Sequence, residues 1–310
     1  MQDTQTIAEA LAGITLGEPA QFQNMTLFPL FASHDRAPDY LLLDEALERK
    51  LASVTEISES GSVPELMFVN DASSRVLLVD GEELVGARQN RILNVSVLVG
   101  AKQHLKIPVS CVEQGRWAYK SRHFVSAERA LFAKARAKKM RHVSASLRES
   151  GSRRSDQREV WQDISAKAAY LACESPTGAM ADIFEQQQTS IDGYVQAFAA
   201  QPLQTGAMFA INGKVAGIEL FDSAATFKTF MGKLLRSYAM DAIEEFQADV
   251  RPPVEAVVRR FLDDMQAAAL ERFPALGEGE GVRMESDAIA GGALVADGRV
   301  VHLCAFTTGG

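Results

Sequence analysis

The chain has 310 residues, of which 47% are hydrophobic and 23% charged, and its net charge at pH 7 is −8. This composition is typical of a globular, soluble protein with a sizeable core in one or two domains. No apolar run reaches the ~18 residues of a membrane-spanning helix, and the N-terminus lacks the basic segment of a signal peptide. Three widely spaced cysteines argue against a disulfide framework and for a reducing compartment. We therefore expect a cytoplasmic protein with no membrane contact.

The first 120 residues are rich in short apolar runs separated by turns, which indicates a β-meander. Asp80-Gly81 is a strong turn signal, because glycine adopts positive φ angles at no steric cost. Residues 92–99 and 104–112 are predicted to pair as an antiparallel hairpin with one apolar and one polar face. Cys111 falls on the apolar face, which favours a buried, structural thiol over a nucleophile.

Region 121–205 is mostly helical. Ser126 can cap a helix that extends to about Arg141, and the Ser-, Arg- and Gly-rich residues 142–155 indicate a loop. Residues 116–160 contain 13 Lys or Arg against 4 Asp or Glu, a net charge of +9. Such a segment binds an anion, a nucleic acid or the protein's own acidic surface. The simplest interpretation is a solvated helix face that is neutralised within the protein or a dimer.

Region 206–310 begins with a hairpin at Asn212-Gly213 and continues with two amphipathic helices, over residues 223–246 and from 252 to about 272. Three strands follow. The predicted fold class is α+β, with a meander-rich N-terminal part, a helical middle and a C-terminal ββααβββ part around one mixed core. We expect regions 1–120, 121–205 and 206–310 to form one integrated domain.

Two polar clusters bracket the predicted hairpin, one after Asp80-Gly81 and one after residue 112. If the two strands pair, Arg91 and Glu113 lie near the same end of the hairpin and the clusters converge. Together they supply ten candidate ligand-binding residues: Glu82, Glu83, Arg88, Gln89, Asn90, Arg91, Glu113, Gln114, Arg116 and Trp117.

The chemistry of these residue types suits a small anionic ligand. Guanidinium groups such as those of Arg88, Arg91 and Arg116 can hold a phosphate or carboxylate bidentately. Trp117 can stack on a base or a sugar, and the carboxylates can bind hydroxyl groups or carry a proton. The alternative is a set of internal ion pairs and amide hydrogen bonds that braces a tight β-corner.

Other chemistry is not indicated by the sequence. The five histidines show no metal-ligand spacing, and HExxH, CxxC and Asp-rich loops are absent, so we predict no metal site. The phosphate loop G-x-x-x-x-G-K, the dinucleotide fingerprint G-x-G-x-x-G and the nucleophile elbow G-x-S-x-G are absent too. The sequence identifies neither a cofactor nor catalytic residues.

The runs VDGEELVGARQNRIL and IPVSCVEQGRW resemble the ARG and Rhodanese-Phosphatase-superfamily-associated Protein domain family, in which ARG stands for ADP-ribosylglycohydrolase. These motifs are long and unusual. The resemblance is clearest over residues 25–120 and extends over most of the chain. It implies an uncharacterised bacterial protein in the setting of ADP-ribose or NAD-related metabolism, and it assigns no catalytic residue.

Three functional hypotheses follow. The first is that the protein binds a small anionic nucleotide or an ADP-ribose-like ligand at the convergent clusters. The second is a non-enzymatic interaction protein whose basic segment contacts a protein partner, a nucleic acid or a second subunit in a homo-oligomer. Few aromatic residues interleave the basic segment, which disfavours nucleic acid. The third, a hydrolase or transferase in ADP-ribose or NAD-related metabolism, rests on the family's associations alone.

Overall fold

The computed structural model describes residues 2–33, 35–58 and 61–308. Within them the chain forms eight helices and eighteen strands, arranged in three sheets. Helices and largely antiparallel strands pack together, so the fold is α+β as predicted. Across the described residues, every helix is too short or too polar to cross a membrane.

The largest sheet draws its nine strands from both ends of the chain. They are β1 (Thr15–Leu16), β2 (Ala20–Phe22), β3 (Met25–Phe31), β13 (Gly206–Ile211), β14 (Lys214–Phe221), β15 (Ala269–Pro274), β16 (Glu280–Glu285), β17 (Ile289–Ala296) and β18 (Arg299–Thr307). Their order is β1-β3-β13-β14-β18-β17-β16-β15, with β2 also paired to β3. The two ends of the sequence therefore share one sheet.

Helices cover both faces of this sheet. On one face, α1 (Gln2–Ala12) and α8 (Glu255–Ala267) contribute side chains such as Leu11 and Phe261 to an apolar core. On the other face, the core includes residues of α3 (Ala133–Ser150), α6 (Gln188–Ala197) and α7 (Ala224–Glu244). An aromatic pair stacks on that second face, where Phe209 and Tyr238 have ring centroids 3.9 Å apart. Burial of both faces explains why β13 and β17 are apolar along their whole length.

The other two sheets come from the first 130 residues. Their strands are β4 (Tyr40–Leu42), β5 (Ala52–Glu56), β6 (Glu65–Asn70), β7 (Arg75–Leu78), β8 (Glu82–Gly86), β9 (Arg91–Leu93), β10 (Val97–Val99), β11 (His104–Cys111) and β12 (Phe124–Ala130). The six-stranded sheet has the order β12-β8-β9-β11-β6-β5, and the three-stranded sheet has the order β10-β7-β4. The remaining helices are α2 (Leu43–Glu48), α4 (Gln157–Tyr170) and α5 (Met180–Gln186).

The predicted hairpin of residues 92–99 with 104–112 is only partly correct. Its first strand is interrupted: β9 pairs with β11 in one sheet, whereas β10 pairs with β7 in another. Asn94 and Ser96 cause the interruption, because their side chains bond other elements, with Asn94 donating to the Arg153 carbonyl at 3.0 Å and Ser96 contacting His302 at 2.8 Å. The pairing that matters for the site is confirmed, since Arg91 lies opposite Cys111.

The predicted polar face of this pair of strands is exposed at one end only, at His104 and Lys106, whereas Asn94 and Ser110 are buried. Ile92 belongs to an apolar cluster with Val160 and Ile164 of α4. The hydroxyl of Ser110, on the same face, donates to Asn94 Oδ1 at 2.7 Å. At the buried end of this face, the polar side chains are bonded to one another and α4 covers them. Cys111 is fully buried, as expected.

The boundaries predicted for the basic helix are wrong. Ser126 lies in β12, where its hydroxyl accepts a hydrogen bond from Lys233 at 3.0 Å instead of capping a helix. Helix α3 begins at Ala133 and includes most of the residues expected to form a loop. It ends at Ser150 and is capped by Gly151, whose φ of 67° is the left-handed conformation that glycine adopts readily at a helix end.

The helix predicted from residue 252 to about 272 is also too long. Helix α8 ends at Ala267, and β15 begins two residues later. The strand pairs with β16, with Leu270 opposite Met284 and Arg272 opposite Val282. Pairing at the open edge of the large sheet therefore overrides the helical pattern in the sequence.

Candidate functional site

Arg116 and Glu113 form the centre of the second polar cluster, directly after β11. Nε of Arg116 donates to Oε1 of Glu113 at 2.8 Å, and its Nη2 donates to Oε2 at 2.6 Å. Nη1 donates to the carbonyl oxygens of Ala87 at 2.7 Å and Ala118 at 2.9 Å. A guanidinium engaged on every side in this way holds the chain segments together and has little donor capacity left for a ligand.

The Glu113 carboxylate is bonded from three directions. Besides Arg116, it accepts the backbone N–H of Asn90 at 3.1 Å and the hydroxyl of Thr177 at 3.1 Å. Burial by itself would raise the pKa of Glu113, but the hydrogen bonds from Arg116 and Asn90 outweigh it and hold that pKa below its usual value. The carboxylate is therefore an ionised structural anchor at neutral pH.

Gln89 connects this anchor to Arg91. Its amide nitrogen donates to the Glu113 carbonyl at 2.9 Å, and its amide oxygen accepts Nη1 of Arg91 at 3.1 Å. The side-chain oxygen of the neighbouring Asn90 accepts the Gly86 N–H at 3.3 Å. The two polar clusters thus meet, as the sequence predicts, and Gln89 and Asn90 connect them.

Arg91 differs from Arg116 in having unused donors. It is fully buried on β9, yet its Nε and Nη2 have no hydrogen-bond partner among the described residues. The nearest carboxylate oxygen is Oε1 of Glu56, at the end of β5, which lies 4.0 Å from Nη2. That separation is too long for a hydrogen bond. Burial lowers the pKa of Arg91, and nearby negative groups only partly oppose this effect.

Glu56 has unbonded acceptors where Arg91 has unbonded donors. Its side chain is 4% exposed, and neither carboxylate oxygen accepts a hydrogen bond from any described residue. Buried polar atoms are almost always bonded in folded proteins, so a cluster of unbonded ones requires an explanation such as water, an ion or a ligand. The Arg91–Glu56 pair therefore has hydrogen-bonding capacity that no described residue uses.

Aromatic side chains border this pair. Trp117 is 45% exposed and Tyr119 is 50% exposed. The guanidinium carbon of Arg88 lies 4.3 Å from the Tyr119 ring centroid and 5.6 Å from that of Trp117, and the Arg91 guanidinium carbon lies 5.9 Å from the latter. We call Glu56, Arg88, Arg91, Trp117 and Tyr119 the Arg91 site. It combines cations, a carboxylate and partly exposed aromatic faces.

The model of the ARG and Rhodanese-Phosphatase-superfamily-associated Protein domain matches residues 13–306. The chain belongs to this family. No protein of curated function and no solved structure matches it. The match includes both motif runs as well as Glu56, so the whole Arg91 site lies within the family domain.

The remaining predicted residues are arranged differently. Glu82 contacts α7, where Lys233 donates to its Oε1 at 2.8 Å. Glu83 is paired with Arg129, and burial raises the pKa of both glutamates despite these cations. Gln114 is exposed and offers its carbonyl to Gln89 at 3.5 Å. The structure thus brings Arg88, Arg91 and Trp117 together, whereas Glu82 serves a separate contact.

Two features escaped the sequence reasoning. Glu56 lies 35 positions before Arg91, at the end of an ordinary-looking strand, and only the pairing of β5, β6, β11 and β9 in one sheet brings it near. The second feature is a buried network around Asp80. Lys139 donates to Asp80 at 2.5 Å, and Arg136 bridges Asp80 at 3.4 Å and Glu219 at 2.5 Å. We call Asp80, Arg136, Lys139, Glu219 and His302 the Asp80 network.

Part of this network has the residue types of a metal site. Glu219, His302 and Cys304 place one ligand atom each within 4.8 Å of one another. The Glu219 carboxylate, however, already accepts bonds from Arg136 at 2.5 Å and from the Tyr238 hydroxyl at 3.3 Å. A guanidinium in contact with the carboxylate disfavours a second cation there. Burial raises the pKa of Cys304 well above its ordinary value, which favours the neutral thiol.

Proposed function

We propose that the protein binds a small anionic ligand of the nucleotide or ADP-ribose type at the Arg91 site. The observation that carries this proposal is the pairing of unbonded buried donors on Arg91 with unbonded buried acceptors on Glu56. Leaving a buried polar atom unbonded costs about 1–3 kcal/mol, and more for a charged group. A ligand that bonds both residues offsets this cost upon binding.

The chemistry of the two residues limits the ligand class. Arg91 requires acceptors, such as phosphate or hydroxyl oxygens, and Glu56 requires donors, such as the hydroxyls of a ribose. A simple anion satisfies Arg91 alone and is repelled by Glu56. An aromatic base can stack on Trp117 or Tyr119, whose rings are about half exposed. A nucleotide or ADP-ribose supplies all three kinds of group.

Calorimetric titration of ADP-ribose, NAD and AMP into the wild type tests the proposal. We expect saturable heat with at least one of them. Trp117→Ala should lower the affinity for that ligand about tenfold or more, since loss of one base–aromatic stack costs about 1–3 kcal/mol. Glu56→Gln should lower the affinity for a ligand that carries hydroxyl groups, while the protein stays folded. Val257→Ala, an exposed position on α8, is the matched control. No heat with any ligand in the folded wild type would refute the proposal.

A second candidate function is favoured by a groove of about 790 Å³ beside α3. Arg141 and Lys214 line it and form no ion pair with any carboxylate in the described part of the chain. Tyr170 and Phe246, 70% and 54% exposed, lie at the same groove. These groups suit an acidic protein segment as a partner, as the basic composition of the region suggested.

The same titrations distinguish the two sites. A nucleotide bound at the Arg91 site should lose affinity in Trp117→Ala and keep it in Tyr170→Ala. The reverse pattern would assign binding to the groove and would contradict the first proposal. Loss in neither variant would place the ligand outside both sites.

A further inference from the structure

A further cavity lies beside the Asp80-Gly81 turn, separate from the Arg91 site and from the groove beside α3. It is a cavity of about 40 Å³ between the motif, α3 and the large sheet. Its polar lining consists of Asp80, Ser96, Arg153, Arg283 and His302. A cavity needs roughly 10–15 Å³ on this measure to hold one water, so there is room for a few waters or for the small polar groups of a ligand.

Ser96, His302 and Glu219 form a continuous chain of hydrogen bonds at this cavity. Ser96 Oγ lies 2.8 Å from His302 Nδ1, and His302 Nε2 lies 3.3 Å from Glu219 Oε2. The backbone N–H of Asp80 donates to Ser96 Oγ at 3.0 Å, which leaves the hydroxyl hydrogen available for Nδ1. His302 then donates its Nε2–H to the carboxylate. A hydroxyl, an imidazole that accepts its proton and a carboxylate that orients the imidazole are the three parts of an activated serine nucleophile.

The carboxylate end of the chain is rigidly held. Glu219 is fully buried on β14, where Arg136 donates to both of its oxygens, at 2.5 and 3.3 Å. His302 is buried beside it on β18, and its ring lies 4.7 Å from that of Phe221. Ser96, in contrast, is only partly buried and lines the cavity. The base and its orienting group are thus fixed, and the hydroxyl is the member that a ligand can reach.

Two arginines give the cavity a positive charge that the chain does not neutralise. Arg283 is 7% exposed and forms no ion pair with a described carboxylate; its Nε donates to Ser144 at 3.2 Å and its Nη2 contacts the sulfur of Met140 at 2.9 Å. Its Nη1 has no hydrogen-bond partner in the described residues and lies over Gly292, where an added Cβ would come within 2.6 Å of it. Arg153 donates to the Pro274 carbonyl. Burial lowers the pKa of both arginines.

We propose that Ser96, His302 and Glu219 are a nucleophile, base and orienting carboxylate that hydrolyse a small carboxylic ester bearing an anionic group, which Arg153 and Arg283 bind. Ser96 Oγ bonds to the ester carbonyl carbon, and its proton passes to His302 Nδ1. The carbonyl oxygen carries the negative charge until the bond to the leaving alkoxide breaks, and that group takes the proton from Nδ1 as an alcohol. Water then attacks the Ser96 ester, loses a proton to His302, and releases the acid as the Ser96 hydroxyl is restored.

The small reagent methanesulfonyl fluoride tests the nucleophile. Ser96 Oγ should displace fluoride and form a sulfonyl ester, which peptide mass spectrometry locates. We expect one major adduct, at Ser96, and none at that position in Ser96→Ala. Ser110→Ala is the matched control, because Ser110 is a buried serine on β11 that contacts Asn94 and Ser155 but no histidine.

A further variant separates a reactive site from a structural hydrogen-bond chain. His302→Gln should slow the labelling of Ser96 at least tenfold in protein whose circular dichroism is unchanged. Absence of a Ser96 adduct in the folded wild type, or equal labelling of Ser96 and surface serines, would overturn the proposal without bearing on ligand binding at the Arg91 site.

Discussion

At the scale of single residues, similar arginines have different roles because their partners differ. Arg116 and Arg91 both lie near Glu113 in the fold, yet only Arg116 donates hydrogen bonds to its carboxylate. Arg91 keeps two unbonded nitrogens. Sequence reasoning placed both in one anion-binding group, because residue type does not reveal which donors the fold has already used. The ligand role of Arg91 stays a proposal, and that of Arg116 is better described as bracing.

Replacing Arg116 should therefore affect stability. Arg116→Ala leaves the mostly buried Glu113 carboxylate without its two strongest bonds, and removing one partner of such a pair destabilises by about 2–4 kcal/mol. Urea unfolding followed by circular dichroism measures the change. Arg259→Ala removes an exposed i,i+4 pair with Glu255 and should change the stability little. A stable Arg116→Ala protein would contradict the bracing role.

The environment of Glu113 should also make the stability of the protein depend on pH. Its pKa is lower in the folded protein than the ordinary 4.5, so the folded state stabilises the ionised form. This contribution is fully present above pH 4.5 and is lost as the pH falls through the folded-state pKa. Glu113→Gln should be less stable than the wild type at pH 7, and the difference should shrink below pH 4.5. A difference in unfolding free energy that stays constant from pH 7 to pH 3 would disprove this.

At the scale of elements, strong local sequence signals predict helices, strands and turns correctly, whereas contacts between distant residues could not be predicted from them. The Asn212-Gly213 turn joins β13 and β14, and the amphipathic pattern over residues 223–246 corresponds to α7. The break at Asn94 and Ser96 was missed, because their partners, Arg153 and His302, lie far away in sequence. The position of Glu56 was missed for the same reason. Periodicity locates elements, whereas the partners of polar residues depend on how the elements assemble.

Helix α3 shows this most clearly, because its basic residues are of two kinds. Lys138 is 56% exposed and pairs with Asp163, whereas the adjacent Lys139 is fully buried against Asp80. Removing one member of a buried pair costs about 3–5 kcal/mol, so we expect Lys139→Met to destabilise by about that amount. Lys138→Met, the matched control, should cost less than about 1 kcal/mol. Equal effects on the urea midpoint would show that burial does not distinguish them.

At the scale of the whole molecule, the Asp80 network joins the three regions distinguished in the sequence. Asp80 belongs to the first, Arg136 and Lys139 to the second, and Glu219 to the third. The net charge of +9 over residues 116–160 is in part neutralised inside the protein through these pairs. Buried ion pairs are sensitive to any separation of the charges, because each partner left alone bears a desolvation cost.

The three regions should consequently unfold together. Differential scanning calorimetry is expected to show one transition whose calorimetric and van 't Hoff enthalpies agree, as for a single cooperative domain. Two resolved transitions, or a stable proteolytic fragment that corresponds to residues 1–120, would contradict the prediction of one integrated domain.

The central claim, ligand binding at the Arg91 site, is tested most directly by the fluorescence of Trp117. The chain has two tryptophans, so Trp161→Phe leaves Trp117 as the only one. Titration of this variant with ADP-ribose and related nucleotides should give a saturable change in emission, because the base stacks on or near the indole ring. The same titration in a Trp161→Phe, Glu56→Gln protein should require a higher ligand concentration. No change in Trp117 emission in the folded Trp161→Phe protein, up to millimolar ligand, would contradict the account.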